Sequence, residues 1–232
     1  MSKKVWIIFI AACVLVLGGL VYYSNSNKLD VSQYKNMSVI EANDYNGKIA
    51  DHVYGNADSP VLLVEYGDYQ CPGCGQVYPT TKEISEQYKD QIGFIFRNFP
   101  LSSMHPNARA AAAAVEAGGI QGKYWEMHNS VYENQQNWQG ASAEDRTGMF
   151  TGYGTELGLD GDKLKSDMAS TAVAHKIDFD MALGKQAGVH ATPTFYLNGQ
   201  EISGDVWNDA DAFKDAINAE LKKHDIELPK KD

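Results

Sequence analysis

The chain has 232 residues, 44% of them hydrophobic and 22% charged, and a formal net charge of −10. These are globular proportions, which exclude a disordered or fibrous chain. Lys3 and Lys4 are the only charges before residue 24, so the remainder is two units more negative than the whole. A body that acidic repels a phosphate backbone, which argues against nucleic-acid binding.

The chain opens with Lys3-Lys4 and the uncharged run Val5–Tyr23. At 1.5 Å per residue this run reaches about 28 Å, close to the hydrocarbon thickness of a bilayer. The two lysines favour a cytoplasmic amino terminus and an extracytoplasmic body, with Tyr22 and Tyr23 at the far interface. Residues 1–23 are therefore expected to be an uncleaved anchor that crosses the membrane through residues 5–23. A cleaved signal peptide is one alternative. A lipoprotein signal is another, with Ile10-Ala11-Ala12-Cys13 as a loose lipobox. All three leave the body outside the cytoplasm. In a membrane helix, Cys13 is simply a small apolar residue. Residues 24–46 are Asn/Ser-rich and read as a tether, the later part of which can pack on the body.

The body begins near residue 47 and is large enough for one domain with a real core. Val61–Val64 is a short apolar run, as expected of a strand buried on both faces. A helical stretch follows Cys71 to about Tyr88, with Val77, Ile84 and Tyr88 on its buried side. Ile92–Phe99 reads as a second strand. Ala108–Ala117 is nearly all alanine, the best helix former and small enough for close packing. Tyr124–Tyr132 continues as an aromatic helix. Trp125 and Trp138 read as core aromatics. Gly140–Ser142 and Gly152–Gly154 read as loops, Asp162–Ser170 and Val173–Ala187 as helices. Thr194–Leu197 is a strand, Asn198-Gly199 the strongest short hairpin signal, and Glu201–Ser203 the return strand. Asp209–Lys223 is a closing helix, with Phe213, Ile217 and Leu221 at helical spacing. Residues 225–232 are a tail.

The body has two cysteines, Cys71 and Cys74, three positions apart. Staples are normally spread across loops, so a single close pair points to a working disulfide. The pair stands between a strand and a helix, where unpaired N–H groups and the positive end of the helix dipole favour a thiolate. The spacing makes Cys71 the exposed attacking sulfur and Cys74 the more buried resolving one. Pro72 suits a first helical turn, and Gly73 adds neither bulk nor charge. Pro193 stands directly before a strand. A cis peptide there would present the Thr192 backbone to a partner peptide and keep a metal from bridging the thiols, so Thr192, Pro72 and Gly73 are expected to line a substrate groove. Glu65, at the end of the first strand, is a candidate to move the proton of Cys74. Met104 and Tyr69 are placed beside the groove, and His190 lies three residues before Pro193.

With these features, the segments Val61–Cys74, Phe99–Pro106, Gln121–Asn129 and Ala191–Gly199 resemble the DsbA-like thioredoxin-fold thiol:disulfide oxidoreductases, including membrane-anchored bacterial forms. The resemblance covers residues 47–224. It implies an α/β thioredoxin fold with a mixed central sheet and an inserted helical subdomain at about 101–192. It also implies a catalytic Cys71, a resolving Cys74, a cis-Pro193 and a buried acid at Glu65. DsbA itself has Pro-His between its cysteines, where this chain has Pro72-Gly73. The histidine helps hold the thiolate, so its loss predicts a less acidic cysteine and a less oxidising couple.

The expected activity is oxidation of reduced exported proteins in the extracytoplasmic space, with no cofactor or metal. Reoxidation would fall to a membrane thiol oxidase of the DsbB or VKOR type. Isomerase or reductase activity is the alternative within the class. A non-enzymatic copper- or peptide-binding module on the same scaffold is the alternative outside it. A zinc half-site is disfavoured because no second ligand pair stands at ligand spacing. A purely structural disulfide is disfavoured because so small a ring adds little stability.

Overall fold

The structure is a computed structural model and describes residues 3–26, 29–34 and 38–229. Its contacts divide the chain into two compact units, Met1–Asp30 and Val31–Asp232. The first is one helix, α1 (Lys3–Ser26). Its stretch Lys3–Leu20 has a mean hydropathy of 2.0, which is long and apolar enough to cross a bilayer. The expectation for Tyr22 and Tyr23 lies outside the described side chains.

In the second unit, β1 (Val53–Gly55), β2 (Leu62–Gly67), β3 (Gly93–Asn98), β4 (Thr194–Leu197) and β5 (Gln200–Ile202) form one sheet in the order β1-β3-β2-β4-β5. β2 and β3 run parallel, and the other pairs are antiparallel. The parallel pair is joined by α2 (Pro72–Gln87), the crossover that a parallel connection requires. Every residue of β2 is buried, as expected of a central strand covered on both faces. Asn198 and Gly199 take φ of 45° and 84°, the positive pair of a type I′ turn. β1 has only three residues at an edge and went unread in the sequence.

Between β3 and β4 lie α3 (Ala108–Ile120), α4 (Tyr124–Glu133), α5 (Gln135–Trp138), α6 (Ala143–Glu156), α7 (Gly161–Met168) and α8 (Thr171–Ala187). This is the inserted helical subdomain on a thioredoxin-like sheet. The run Ala111–Ala114 is buried, so its small side chains let neighbouring helices approach. Trp138 is fully buried. One expectation is corrected here: Gly152–Gly154 is not a loop but lies within α6. A Cβ on Gly154 would sit 2.3 Å from Leu164 Cδ2, so the glycine permits close packing of α6 on α7. After β5 come α9 (Gly204–Trp207) and α10 (Ala210–Lys223), the latter burying Phe213, Ile217 and Leu221. Each such side chain contributes about 1.5–3 kcal/mol.

The segment before β1 packs on this body, with Val31, Ile40 and Asn46 buried. A buried ion network ties it down. Arg97 on β3 meets Asp51 at 2.6 Å, and Lys176 on α8 meets Asp51 at 3.0 Å and Asp180 at 2.7 Å. Asp51 also accepts from Ile40 N, and Arg97 donates to the Ser38 carbonyl. The Asn98 amide donates to Glu116 at 2.6 Å and to Asp180 at 3.0 Å. Burial alone would raise Asp51, but Arg97 and Lys176 outweigh it and hold the carboxyl well below the usual range.

Candidate active site

β2 delivers the chain to a loop, Asp68–Gln70, at whose end Cys71 occupies the cap position of α2. Cys71 has extended φ and ψ of −65° and 125°, and Pro72 follows inside the first turn. At α6, α7, α8 and α10 a Ser or Asp oxygen accepts the free N–H groups of the helix start. At α2 no side-chain oxygen does so. The Cys71 sulfur stands beside these donors, and the N–H groups of Gly73 and Cys74 favour its charged form. A thiolate is thus held by the same orphan donors that elsewhere bind a cap.

The two cysteines are in the reduced dithiol form. Cys71 is 8% exposed and Cys74 fully buried, while Pro72 is exposed beside them. A hydrogen bond from the Cys74 thiol is the largest influence on Cys71. Burial opposes it, and the Thr192 side chain and the helix N–H groups reinforce it. Together they bring Cys71 down to about 5. Cys74 goes the other way, well above its ordinary value, because of burial, its bond to Cys71 and the nearby Glu65 charge. The Asp68 N–H donates to Cys74 Sγ at 3.5 Å.

The Thr192–Pro193 peptide is cis. The Cys71 thiol approaches the Thr192 carbonyl at 3.3 Å, and the Thr192 hydroxyl has no partner elsewhere. A Cβ on Gly73 would sit 3.5 Å from Pro193 Cδ and 3.8 Å from Cys71 Sγ. Cys71, Gly73, Thr192 and Pro193 therefore share one surface, with Pro72 at its rim.

Glu65 is 3% exposed, between Phe96 of β3 and Phe195 of β4 in the sheet register. Burial, and then the Cys71 charge, push its carboxyl up to about 8, so it holds a proton near neutrality. It lines a cavity of about 240 Å³ together with Tyr78, Lys82, Trp125, His128 and Tyr132. The Tyr132 hydroxyl and Trp125 Nε1 have no protein partner. Burial, and to a lesser degree Lys82, lower His128 to about 3, so it is neutral.

One expectation about the groove changes. Tyr69 does not flank it: the side chain is 1% exposed and its hydroxyl bonds to His128 Nδ1 at 2.9 Å, within the aromatic cluster. His190 is exposed on the surface. Met104 is 66% exposed on the loop after β3. That loop is pinned to the active-site loop by Asp68, which accepts from Leu101 N at 2.8 Å and lies 2.7 Å from His105 Nδ1. Sequence reasoning missed Asp68 and also Gln135, whose amide donates to the carbonyls of Tyr69 and Cys71. Neither carries a motif. Among the described residues, no group of three or more His, Cys, Asp or Glu is placed to hold a metal ion.

A family model described as thioredoxin matches residues 48–219. The chain belongs to the thioredoxin family. Within it, the architecture is that of the DsbA-like thiol:disulfide oxidoreductases. A thioredoxin-like oxidoreductase from Silicibacter pomeroyi DSS-3 is 26% identical with a TM-score of 0.60, covering 74% of this chain and 92% of its own. The alpha-DsbA1 of Wolbachia pipientis is 22% identical with a TM-score of 0.63, covering 75% and 92%. In sequence, the Na(+)/H(+) antiporter NhaA 1 of Salinispora arenicola is 38% identical over 154 residues, 66% of this chain. The chain spans only 22% of that relative's length.

Proposed function

We propose that this thioredoxin-family oxidoreductase introduces disulfides into reduced exported proteins, with Cys71 as the catalytic sulfur and Cys74 as the resolving one. The observation that carries the reading is the opposed tuning of the two thiols: Cys71 lowered to about 5 at a helix start, Cys74 raised in the core. A stabilised thiolate favours the reduced enzyme, so its disulfide is an oxidant. Ionisation two units below pH 7 makes the couple on the order of 60 mV more oxidising than one with a neutral thiol. DsbA, with a cysteine of ~3.5, lies further along the same scale and thioredoxin, at ~7, nearer its start. Pro72-Gly73 in place of Pro-His accounts for the intermediate position.

In the forward direction a substrate thiolate attacks Cys71 Sγ of the disulfide. The Cys71–Cys74 bond breaks, and Cys74 leaves and takes a proton, for which protonated Glu65 is the donor at hand. The cavity beside Glu65 supports proton exchange with solvent. A second substrate thiolate then attacks the substrate sulfur of the mixed disulfide and expels Cys71 as a thiolate. The substrate has lost two electrons and the enzyme has gained them. Thr192 and Pro193, with Pro72 and Gly73 beside them, form the surface on which an extended substrate segment lies.

The helix α1 supports a single-pass location in the cell membrane with the domain on the extracytoplasmic side, close to a membrane thiol oxidase of the DsbB or VKOR type that returns the enzyme to its disulfide form. Residues 24–46 then link anchor to domain, with the part from Val31 onward packed on the body at 47–224. Titration of the Cys71–Cys74 couple against glutathione, together with catalysed oxidation of a reduced multi-cysteine protein, tests the reading. The expected potential lies between ~−270 mV for thioredoxin and ~−120 mV for DsbA, and Cys71→Ser abolishes catalysis. A potential at or below the thioredoxin value would assign the chain to reduction instead.

A further inference from the structure

The redox loop is not held by the sheet and α2 alone. The side-chain amide of Gln135, 5% exposed at the start of α5, donates to the Tyr69 carbonyl at 2.8 Å and to the Cys71 carbonyl at 3.0 Å. The Cys71 carbonyl also accepts from Gly75 N at 3.1 Å, the first turn of α2. One amide thus bridges the loop to the helix start. It does so from the helical insertion, on the far side of β3 in sequence.

A second set of bonds fixes the same segment. Gln70 donates to the Gln139 carbonyl at 2.7 Å and accepts from Asn107 N at 2.6 Å. The Asn107 amide in turn reaches the Ala141 carbonyl at 2.9 Å. The approach of Gln135 also requires a glycine inside α2. A Cβ on Gly75 would lie 2.4 Å from Gln135 Oε1 and 2.8 Å from its Nε2. An alanine there would favour the helix, yet glycine stands where the amide comes in.

We propose that Gln135 is a positioning residue through which the helical insertion holds the start of α2 in its working orientation around Cys71. Two donors on one carbonyl fix rotation at the Cys71–Pro72 step, and that fixes where the N–H groups of Gly73 and Cys74 point relative to the sulfur. The buried Tyr69 carbonyl would otherwise lack a partner, so the loop would relax to find one. The inference rests on the redox reading of the cysteine pair.

The test is Gln135→Met in the full chain, which keeps the volume and removes both donors. The readouts are the pH midpoint of Cys71 alkylation, the equilibrium with glutathione and the thermal melt. The expected result is a midpoint about one unit higher and an equilibrium shifted about tenfold toward a more reducing couple, which is about 30 mV. A lower melting temperature with the midpoint and equilibrium of the wild type would reduce Gln135 to a structural residue and overturn the proposal. Should Gln135→Met fail to melt cooperatively, Gly75→Ala carries the test, since it displaces the amide while favouring the helix. A smaller rise in the same direction supports the proposal, and an unchanged midpoint overturns it. A wild-type midpoint equal to that of a free thiol would instead sink the redox reading itself.

Discussion

Around Arg97, the fold buries alternating charges: Arg97 lies 2.6 Å from Asp51, and Lys176 lies 3.0 Å from Asp51 and 2.7 Å from Asp180. Between β2 and the start of α2 it buries Glu65, Cys71 and Cys74, and among the described residues no basic side chain pairs with Glu65. In the first region opposite charges keep Asp51 ionised far below neutrality. In the second, charge on Cys71 is supported by N–H groups, a thiol and a hydroxyl. Glu65 therefore keeps its proton up to about 8, and Cys71 loses its own near 5. Two paired cations fix the charge of Asp51, whereas Asp180, with Lys176 as its one cation and the Glu116 and Asp51 charges nearby, is pushed up by burial to about 6. Unpaired burial brings titrations close to the pH at which the protein works.

The largest test of that contrast breaks the paired region. Asp51→Asn leaves Arg97 and Lys176 short of a carboxylate and should cost about 3–5 kcal/mol in denaturant unfolding. The Cys71 alkylation midpoint should not move. If it moved with stability, the two regions would be one electrostatic unit and the contrast would fail.

Glu65→Gln sharpens the other side. Native Glu65 holds a proton that the unfolded chain releases, since its carboxyl is raised from 4.5 to about 8. Stability is therefore full below about pH 4.5 and falls as pH rises through 8, by at most ~1.4 kcal/mol per pH unit. The variant should lose that slope in pH-dependent melts of the reduced protein. It should also slow thiol–disulfide exchange about 100-fold, the lower range for general acid–base help.

The smallest expected effect probes the helix start. A Cβ on Gly73 would make ordinary van der Waals contact with Pro193, Cys71 and the Thr192 carbonyl, without a clash, so Gly73→His should fold. A protonated imidazole there should lower the Cys71 midpoint by about one unit and make the couple about 30 mV more oxidising. A rise in midpoint would show that dipoles, not added charge, decide the sulfur's state.

What the sequence disclosed follows from the range of each signal. Cys71, Cys74 and the strand–loop–helix around them are local in the chain, as are the Asn198-Gly199 turn and the Phe213, Ile217, Leu221 stripe. Pro193 was legible because it stands directly before a recognisable strand, and Glu65 because it follows the apolar run Val61–Val64, although it lies inside β2. The ion network was not: Asp51, Arg97 and Lys176 look like ordinary surface charges until strands and helices distant in sequence converge. Gln135 was hidden for the same reason, and Gly154 was misread because its partner, Leu164, belongs to the next helix.

The most direct measurement is a pH titration of the Cys71 thiolate in the reduced protein, followed by ultraviolet absorbance with Cys71→Ser as the blank. The expected midpoint is about 5. A midpoint near ~8.5, that of a free cysteine, would contradict the account.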